Sequence, residues 1–308
     1  MARRIAGLIV CLLLPMLPAF AGAPNAHDAH DCVEGQVDLR IAACTRLLGT
    51  GKIDRANLAA VHFDRANAYR EKGAADLAIS DYGAAIALRP DLAQAFKNRG
   101  LLFRAQGKLD RAAADLDAAI RLSPNDRDAL LDRGAIRDAL HDYPGAIADF
   151  DAVIRMAPED VKALLDRGIA RGEAREFESA LLDFRTASRL APDAPEGFSG
   201  TCWISAVSGI APERAVTQCD RAVALKPGEA AVLGYRALLW LRLGDYDAAI
   251  ADYDRAVEKE PNDATLLFGR GVAKLRIGNP TGANEDLQAA EEIDPRIAQT
   301  YAGYGVAP

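Results

Sequence analysis

Between Ala59 and Ile297 the sequence repeats a 34-residue unit seven times. A fixed period of this length leaves few folds open. One copy is too short to enclose a core, so it must bury its apolar faces on its neighbours, and stacking makes that core continuous. The copies span 59–92, 93–126, 127–160, 161–194, 196–229, 230–263 and 264–297, with Pro195 as one extra residue between the fourth and fifth. Pro90, Pro124, Pro158, Pro192, Pro227, Pro261 and Pro295 mark their ends, where a helix has to stop. Gly73, Gly107, Gly244 and Gly278 mark a turn inside the unit.

Each half of a unit has helical spacing. Phe96, Gly100 and Phe103 follow one another at four and three residues, and Ala112, Leu116, Ala119 and Ile120 form a similar stripe in the second half. Small residues recur where two helices approach most closely. They are Ala66, Gly100, Gly134, Gly168 and Gly271 at the eighth place, and Ala85, Ala119, Val153, Ala187, Ala222, Ala256 and Ala290 at the twenty-seventh. Ala112, Ala146, Ala180, Ala215, Ala249 and Ala283 hold the twentieth. The expected fold is all-α, a curved stack of antiparallel helix pairs. Only 6% of residues are aromatic although half are apolar, which disfavours a β-sandwich.

This skeleton closely resembles the tetratricopeptide repeat family over residues 59–297. The resemblance implies a right-handed α-solenoid that holds a peptide or protein segment on a concave face built from the first helix of each pair. Places 2, 5, 9, 12 and 13 of a unit point there in the family. In early units they carry Asn67, Arg70, Lys97, Arg104 and Lys162, with Glu71 and Asp128 among them; in later units Ile204, Val207, Leu238, Leu241, Phe268, Val272 and Leu275, with Arg242 and Arg276 nearby. The expected groove is basic at one end and apolar at the other, suited to a segment with acidic and hydrophobic portions. Lys97 and Asn67 do not reproduce the two-carboxylate clamp of chaperone-binding members, because they stand in the wrong units.

The fifth unit departs most. Trp203 stands where glycine is usual, and the inner turn reads Ser208-Gly209-Ile210-Ala211-Pro212. Two charges recur elsewhere in register: Arg65, Arg99, Arg133, Arg167, Arg236 and Arg270 at the seventh place, and Asp81, Asp115, Asp149, Asp183, Asp252 and Asp286 at the twenty-third. The fifth unit replaces both, with Cys202 and Gln218. Joint presence and joint absence point to an Arg–Asp contact between paired helices or with the adjoining unit, a scaffold rather than a ladder for an anionic ligand.

The ends read differently. Met1-Ala2-Arg3-Arg4, an apolar run to Phe20, and the small-x-small close Ala19-Phe20-Ala21 make residues 1–21 a cleavable secretory leader. The run is short for a bilayer crossing and broken by Pro15 and Pro18, so an integral membrane anchor is not expected. Cys11 follows Val10 in mid-run, a poor setting for lipid attachment. Residues 22–58 form a leading segment whose Asp38–Leu48 stretch reads as a degenerate half unit, and 298–308 a C-terminal cap or tail with a short helix over Ile297–Tyr304. Four cysteines remain after cleavage, and proximity within helix pairs selects Cys32–Cys44 and Cys202–Cys219 as structural disulfides. His27, His30 and Cys32 lie in a segment expected to fray, so no metal site is assigned.

Net charge of −7, more negative once Arg3 and Arg4 are removed, argues against broad nucleic-acid binding. There is no Gly-rich phosphate loop, no His-Glu-x-x-His and no Gly-x-Ser-x-Gly, and His62 and His141 stand far apart. No catalytic residue and no cofactor are assigned. The reading is a non-catalytic scaffold of the bacterial cell envelope, in the periplasm (secretion is the alternative), that holds a partner segment. The runner-up is a self-associating structural or accessory protein that organises an envelope complex.

Overall fold

The computed structural model describes residues 26–306, and among them there are helices and no strands. The proposed leader 1–21 lies outside the described residues. The chain divides into two compact bodies, residues up to Gly107 and from Lys108 onward.

The first body contains α1 (Ala26–Glu34), α2 (Val37–Gly49), α3 (Arg55–Glu71), α4 (Ala75–Leu88) and α5 (Ala93–Ala105). The second contains α6 (Leu109–Leu122), α7 (Arg127–Ala139), α8 (Tyr143–Met156), α9 (Val161–Glu173), α10 (Phe177–Leu190), α11 (Glu196–Ser208) and α12 (Pro212–Leu225). It continues through α13 (Ala230–Leu243), α14 (Tyr246–Lys259), α15 (Ala264–Arg276), α16 (Pro280–Ile293) and α17 (Ile297–Gly303).

Local chemistry sets the boundaries. Asp126, Asp160 and Asp263 accept from the backbone N–H of Ala129, Ala163 and Leu266, capping α7, α9 and α15. Asp142, Asp245 and Asn279 cap α8, α14 and α16 in the same way. Each cap satisfies an amide that the first turn leaves without a partner. The fifteenth place turns the chain through the left-handed region in every unit but the fifth, where Gly209 and Ala211 do so instead. Gly73, Gly107, Gly244 and Gly278 do so without steric cost, whereas His141 (φ 61°) and Arg175 (φ 63°) do so as non-glycine residues.

Packing follows the small residues. Ala112, Ala146, Ala180, Ala249 and Ala283 are fully buried, and so are their partners in the first helices. In the second body each helix packs on the next. The first helices α7, α9, α11, α13 and α15 also pack on one another in sequence, and second helices have no comparable contact among themselves. First helices therefore stand closer together than second helices, so that body curves with the first-helix face inward.

The recurring charges are paired as expected and reach further. Arg167 donates through Nε and Nη2 to both Asp183 oxygens at 2.9 and 2.6 Å, and through Nη1 to Asp151 of the preceding repeat at 2.6 Å. Arg133, Arg236 and Arg270 repeat this fork on Asp149, Asp252 and Asp286, with third contacts on Asp117, Asp220 and Asp254. Arg65 grips Asp81, which also contacts His62 at 2.9 Å, and its Nη1 reaches Thr45. These carboxylates are buried, and a bidentate guanidinium is what makes burial tolerable. One arginine thus ties two helices of its own pair and the pair before it. Asp286 is itself desolvated, yet Arg270 and Lys274 together hold its carboxyl below the usual range.

The fifth repeat substitutes a covalent tie. Cys202 of α11 and Cys219 of α12 are joined at 2.04 Å, and Cys32 of α1 and Cys44 of α2 are joined likewise. The leading segment holds more structure than a half repeat: residues 26–34 form a helix packed on α2 rather than a frayed end. Disulfides that buried fit an oxidising compartment. No helix among the described residues is long and apolar enough to cross a membrane.

Candidate partner-binding site

Three first helices, α9, α11 and α13, line a pocket of about 500 Å³ in the second body. Its apolar wall is Leu165 and Ile169 of α9, Trp203 of α11, Val232 and Tyr235 of α13, and Phe184 of α10. Carboxylates stand around it: Asp166, Glu173, Glu196 and Glu229. Two local sequence choices create it. Trp203 occupies the eighth place, where an indole cannot enter the close contact between paired helices, so its ring lies on the first-helix face, edge-on to Phe184 with centroids 6.4 Å apart. Gly172 makes room, since a Cβ there would lie 2.7 Å from the indole and 2.6 Å from Ile204.

The electrostatics around the pocket are one-sided. Burial raises the Glu173 carboxyl above its ordinary range, and the like charge of Asp138 adds to this, with His141 opposing. Asp138 is raised by burial and by Asp166, and its Oδ1 is buried without a hydrogen-bond partner. Burial lifts the Tyr235 phenol to about 12, reinforced by Tyr304, Asp263, Glu173 and Glu229. The nearby cations have other duties. Lys162 pairs with Asp166 at 2.6 Å and Lys226 with Glu229 at 3.2 Å. Arg175 stacks over Phe177, and His141 Nδ1 contacts the Tyr143 hydroxyl at 2.8 Å.

Farther along the same face the expectation of an open apolar groove needs correction. Leu238, Leu241, Phe268 and Val272 are buried, at 3, 6, 1 and 0% exposure, and Leu275 is half-buried. The cause is the chain's own C-terminus. The ring of Tyr301 in α17 lies 4.8 Å from that of Phe268, and its hydroxyl donates to the Thr265 carbonyl at 2.7 Å beside the Tyr253 hydroxyl. Gly269 permits this, because a Cβ there would meet both hydroxyls within 2.4 Å. Arg242 fastens the segment: it donates to the carbonyls of Ala206 and Val207 at the end of α11 and to that of Tyr304. Tyr304 and Val306 complete the cover over the core of repeats six and seven.

In the first body, Asn67 is engaged internally. Its side-chain oxygen accepts from the Tyr82 hydroxyl at 2.6 Å and from Asn98 at 3.1 Å, binding α3, α4 and α5 together. Arg70 and Arg104 are exposed and Lys97 is half-buried. The sequence reading missed the wall formed by Leu165, Ile169, Trp203 and Tyr235. Leu165 and Ile169 stand at places 5 and 9, so the rule that named the later residues would also have found them. Trp203 carried its own signal, a large ring in a small-residue place.

No curated protein matches the sequence significantly. Among solved structures, a tetratricopeptide repeat protein from Parabacteroides merdae ATCC 43184 superimposes with a TM-score of 0.64 at 20% identity, covering 80% of this chain and 99% of that one. A chain of the APC/C hetero-tetramer Cut9-Hcn1 gives 0.60 at 16% identity, over 87% of this chain and 52% of that one. MamA 41-end from Desulfovibrio magneticus RS-1 gives 0.52 at 19%, over 57% and 98%. At such identities the likeness establishes a shared helical-solenoid fold. The tetratricopeptide repeat family model matches residues 63–127, 128–195, 211–264 and 236–297, more than half of the sequence, and with the repeat geometry above, the chain belongs to the tetratricopeptide repeat family.

Proposed function

We propose that this protein is a non-catalytic scaffold that holds a segment of another protein in the pocket between α9, α11 and α13. The observation that carries the reading is the contrast along one face. The stretch over α13 and α15 is covered by the chain's own residues 297–306, which leave recesses of about 200 and 310 Å³, whereas the adjoining pocket of about 500 Å³ is open with an indole and a phenol in its wall. Concave, mostly apolar sites with a few convergent polar groups are where proteins receive ligands. The family's general role in protein–protein interaction agrees. The leader-like residues 1–21 and the two disulfides support export to an oxidising compartment, and we place the protein in the periplasm of the cell envelope.

The test is affinity capture from an envelope extract with the wild-type chain and with Ile169→Asp and Trp203→Ala. Ile169 is 41% exposed, so its replacement leaves the core untouched. Loss of the captured proteins with both variants, at unchanged helical circular dichroism, is the expected outcome. Capture that persists unchanged with both would overturn the assignment.

A further inference from the structure

The charge around the open pocket says more about what fits it than its apolar wall does. Asp166, Glu173, Glu196 and Glu229 line the pocket. The like charge of Asp138 disfavours ionisation of Glu173, as Asp166 does for Asp138, and Glu173 and Asp138 are both partly desolvated. Tyr235 and Tyr304 sense the same field: Glu173 acts on both phenols, and Glu229 and Asp263 act on Tyr235. Against these carboxylates the surrounding cations are accounted for. Lys162 and Lys226 each neutralise one acid, on Asp166 and Glu229. His141 lies near Asp138 and Glu173 but contacts Tyr143, and Arg175 acts on Tyr304 while stacked over Phe177. Gathering like charges beside a desolvated aromatic wall weakens the folded state, and a cationic ligand relieves it. The wall itself suits a cation, since the faces of indole and phenol attract guanidinium and ammonium groups.

The charge pattern also reverses the sequence-based expectation. Of the basic residues assigned to the early units, Arg70, Lys97 and Arg104 belong to the first body, whereas the open pocket belongs to the second, where Lys162 is paired with Asp166. The apolar stretch that would have taken hydrophobic side chains is covered by α17. The open pocket between α9, α11 and α13 is acidic and aromatic.

We infer that the pocket between α9, α11 and α13 binds a basic segment of a partner protein, with an arginine or lysine side chain laid against Trp203 and Tyr235, its charge toward Glu173 and Glu196, and an adjacent apolar residue against Leu165 and Ile169. This rests on the reading of the pocket as a segment-binding site and adds the chemistry of the segment. The acid rim gives selectivity, and the indole and aliphatic wall give contact area.

The experiment pans a displayed library of random dodecapeptides on the full mature chain and removes sequences that also bind the Trp203→Ala variant. The expected result is a pool whose ratio of Lys plus Arg to Asp plus Glu is at least about threefold that of the input. The leading synthetic peptide is then titrated against a Trp240→Phe background, in which Trp203 is the remaining tryptophan and its emission reports occupancy. Combining Glu173→Gln with Glu196→Gln should weaken that peptide about five- to tenfold, and raising the salt should weaken its binding to the wild type. A pool that depends on Trp203 but is neutral or acidic would overturn the basic-segment inference and leave the segment-binding function standing. No sequences left after that subtraction would overturn both. Concentration-dependent dimerisation that shields Trp203, seen by sedimentation, would also overturn the inference, because the occupant would then be a second copy.

Discussion

The fourth and fifth repeats do the same mechanical task by different chemistry. In the fourth, Arg167 on α9 holds Asp183 on α10 and reaches back to Asp151, so its tie depends on carboxylates from two repeats. In the fifth, Cys202 and Cys219 join α11 to α12 and need nothing from a neighbour. The surrounding sequence adjusts accordingly. The twenty-fifth place is Asp117, Asp151, Asp220 and Asp254 where the next repeat supplies an arginine to meet it, Gly83 before Arg99 being the exception. It is Arg185 before the fifth repeat, where no such arginine follows. Size is exchanged too. Gly168 faces the Phe184 ring in the fourth repeat, whereas the fifth pairs Trp203 with the small Cys219 at the same two places. A covalent tie between the helices therefore accompanies the release of the largest aromatic onto the first-helix face, where the pocket forms.

The largest effect should come from breaking the ionic tie on one side only. Asp183→Ala leaves Arg167 and Arg171 facing an empty, buried place, since Asp183 is 1% exposed and accepts from both. A loss of about 3 kcal/mol or more in urea unfolding is expected for an orphaned buried charge. Asp220→Ala removes a 55% exposed partner of Arg236 and should cost under about 1 kcal/mol. Equal losses from the two would contradict the division between buried fork and exposed third contact.

Next in size is the covalent tie. Replacing Cys202 and Cys219 by serine releases a loop between residues 17 apart, for which about 3 kcal/mol is expected. The loss should localise: hydrogen exchange should quicken in α11 and α12 and leave α7 and α8 near their wild-type rates. Uniform quickening along the second body would mean the disulfide is not a local staple.

Much of this was legible before any coordinates. The period, the small residues at three fixed places and the terminal prolines determine helix pairs and their stacking. The pairing of Arg and Asp in register follows from their joint replacement in one repeat, and that of Cys202 with Cys219 from their proximity within one helix pair. The cover over Leu238, Phe268 and Val272 was not legible, for a physical reason. Places 5, 9 and 12 say which way a side chain points, but not whether a later part of the chain returns to lie on it. Tyr301 and Tyr304 fall outside the repeat, and only the room at Gly269 and the carbonyls gathered by Arg242 fix where they go. The pocket was half legible, because Trp203 was visible as an exception while its consequence depended on Gly172 in another repeat.

The smallest effect separates the two ties by pH. The Asp286 carboxyl titrates below its ordinary value because Arg270 and Lys274 favour its charged form. Its stabilisation is complete above the ordinary carboxylate pKa, and is lost as pH falls through the depressed folded value. A disulfide has no such dependence. Hydrogen-exchange protection of α15 and α16 should therefore fall between pH 5 and pH 3 by more than that of α11 and α12, after correction for intrinsic rates. The reverse order would contradict the assignment of the ionic tie.

The central claim is that one face of the second body is covered by the chain's own end at repeats six and seven and open at repeats four to six. Hydroxyl-radical footprinting with mass spectrometry, run on the chain and on a version ending at Arg296, tests it most directly. Trp203 and Ile169 should be oxidised readily in both proteins, while Phe268 should be protected in the longer chain and become reactive in the shorter one, with helical circular dichroism otherwise retained. Phe268 as reactive as Trp203 in the longer chain, or still protected after residues 297–308 are removed, would contradict the account.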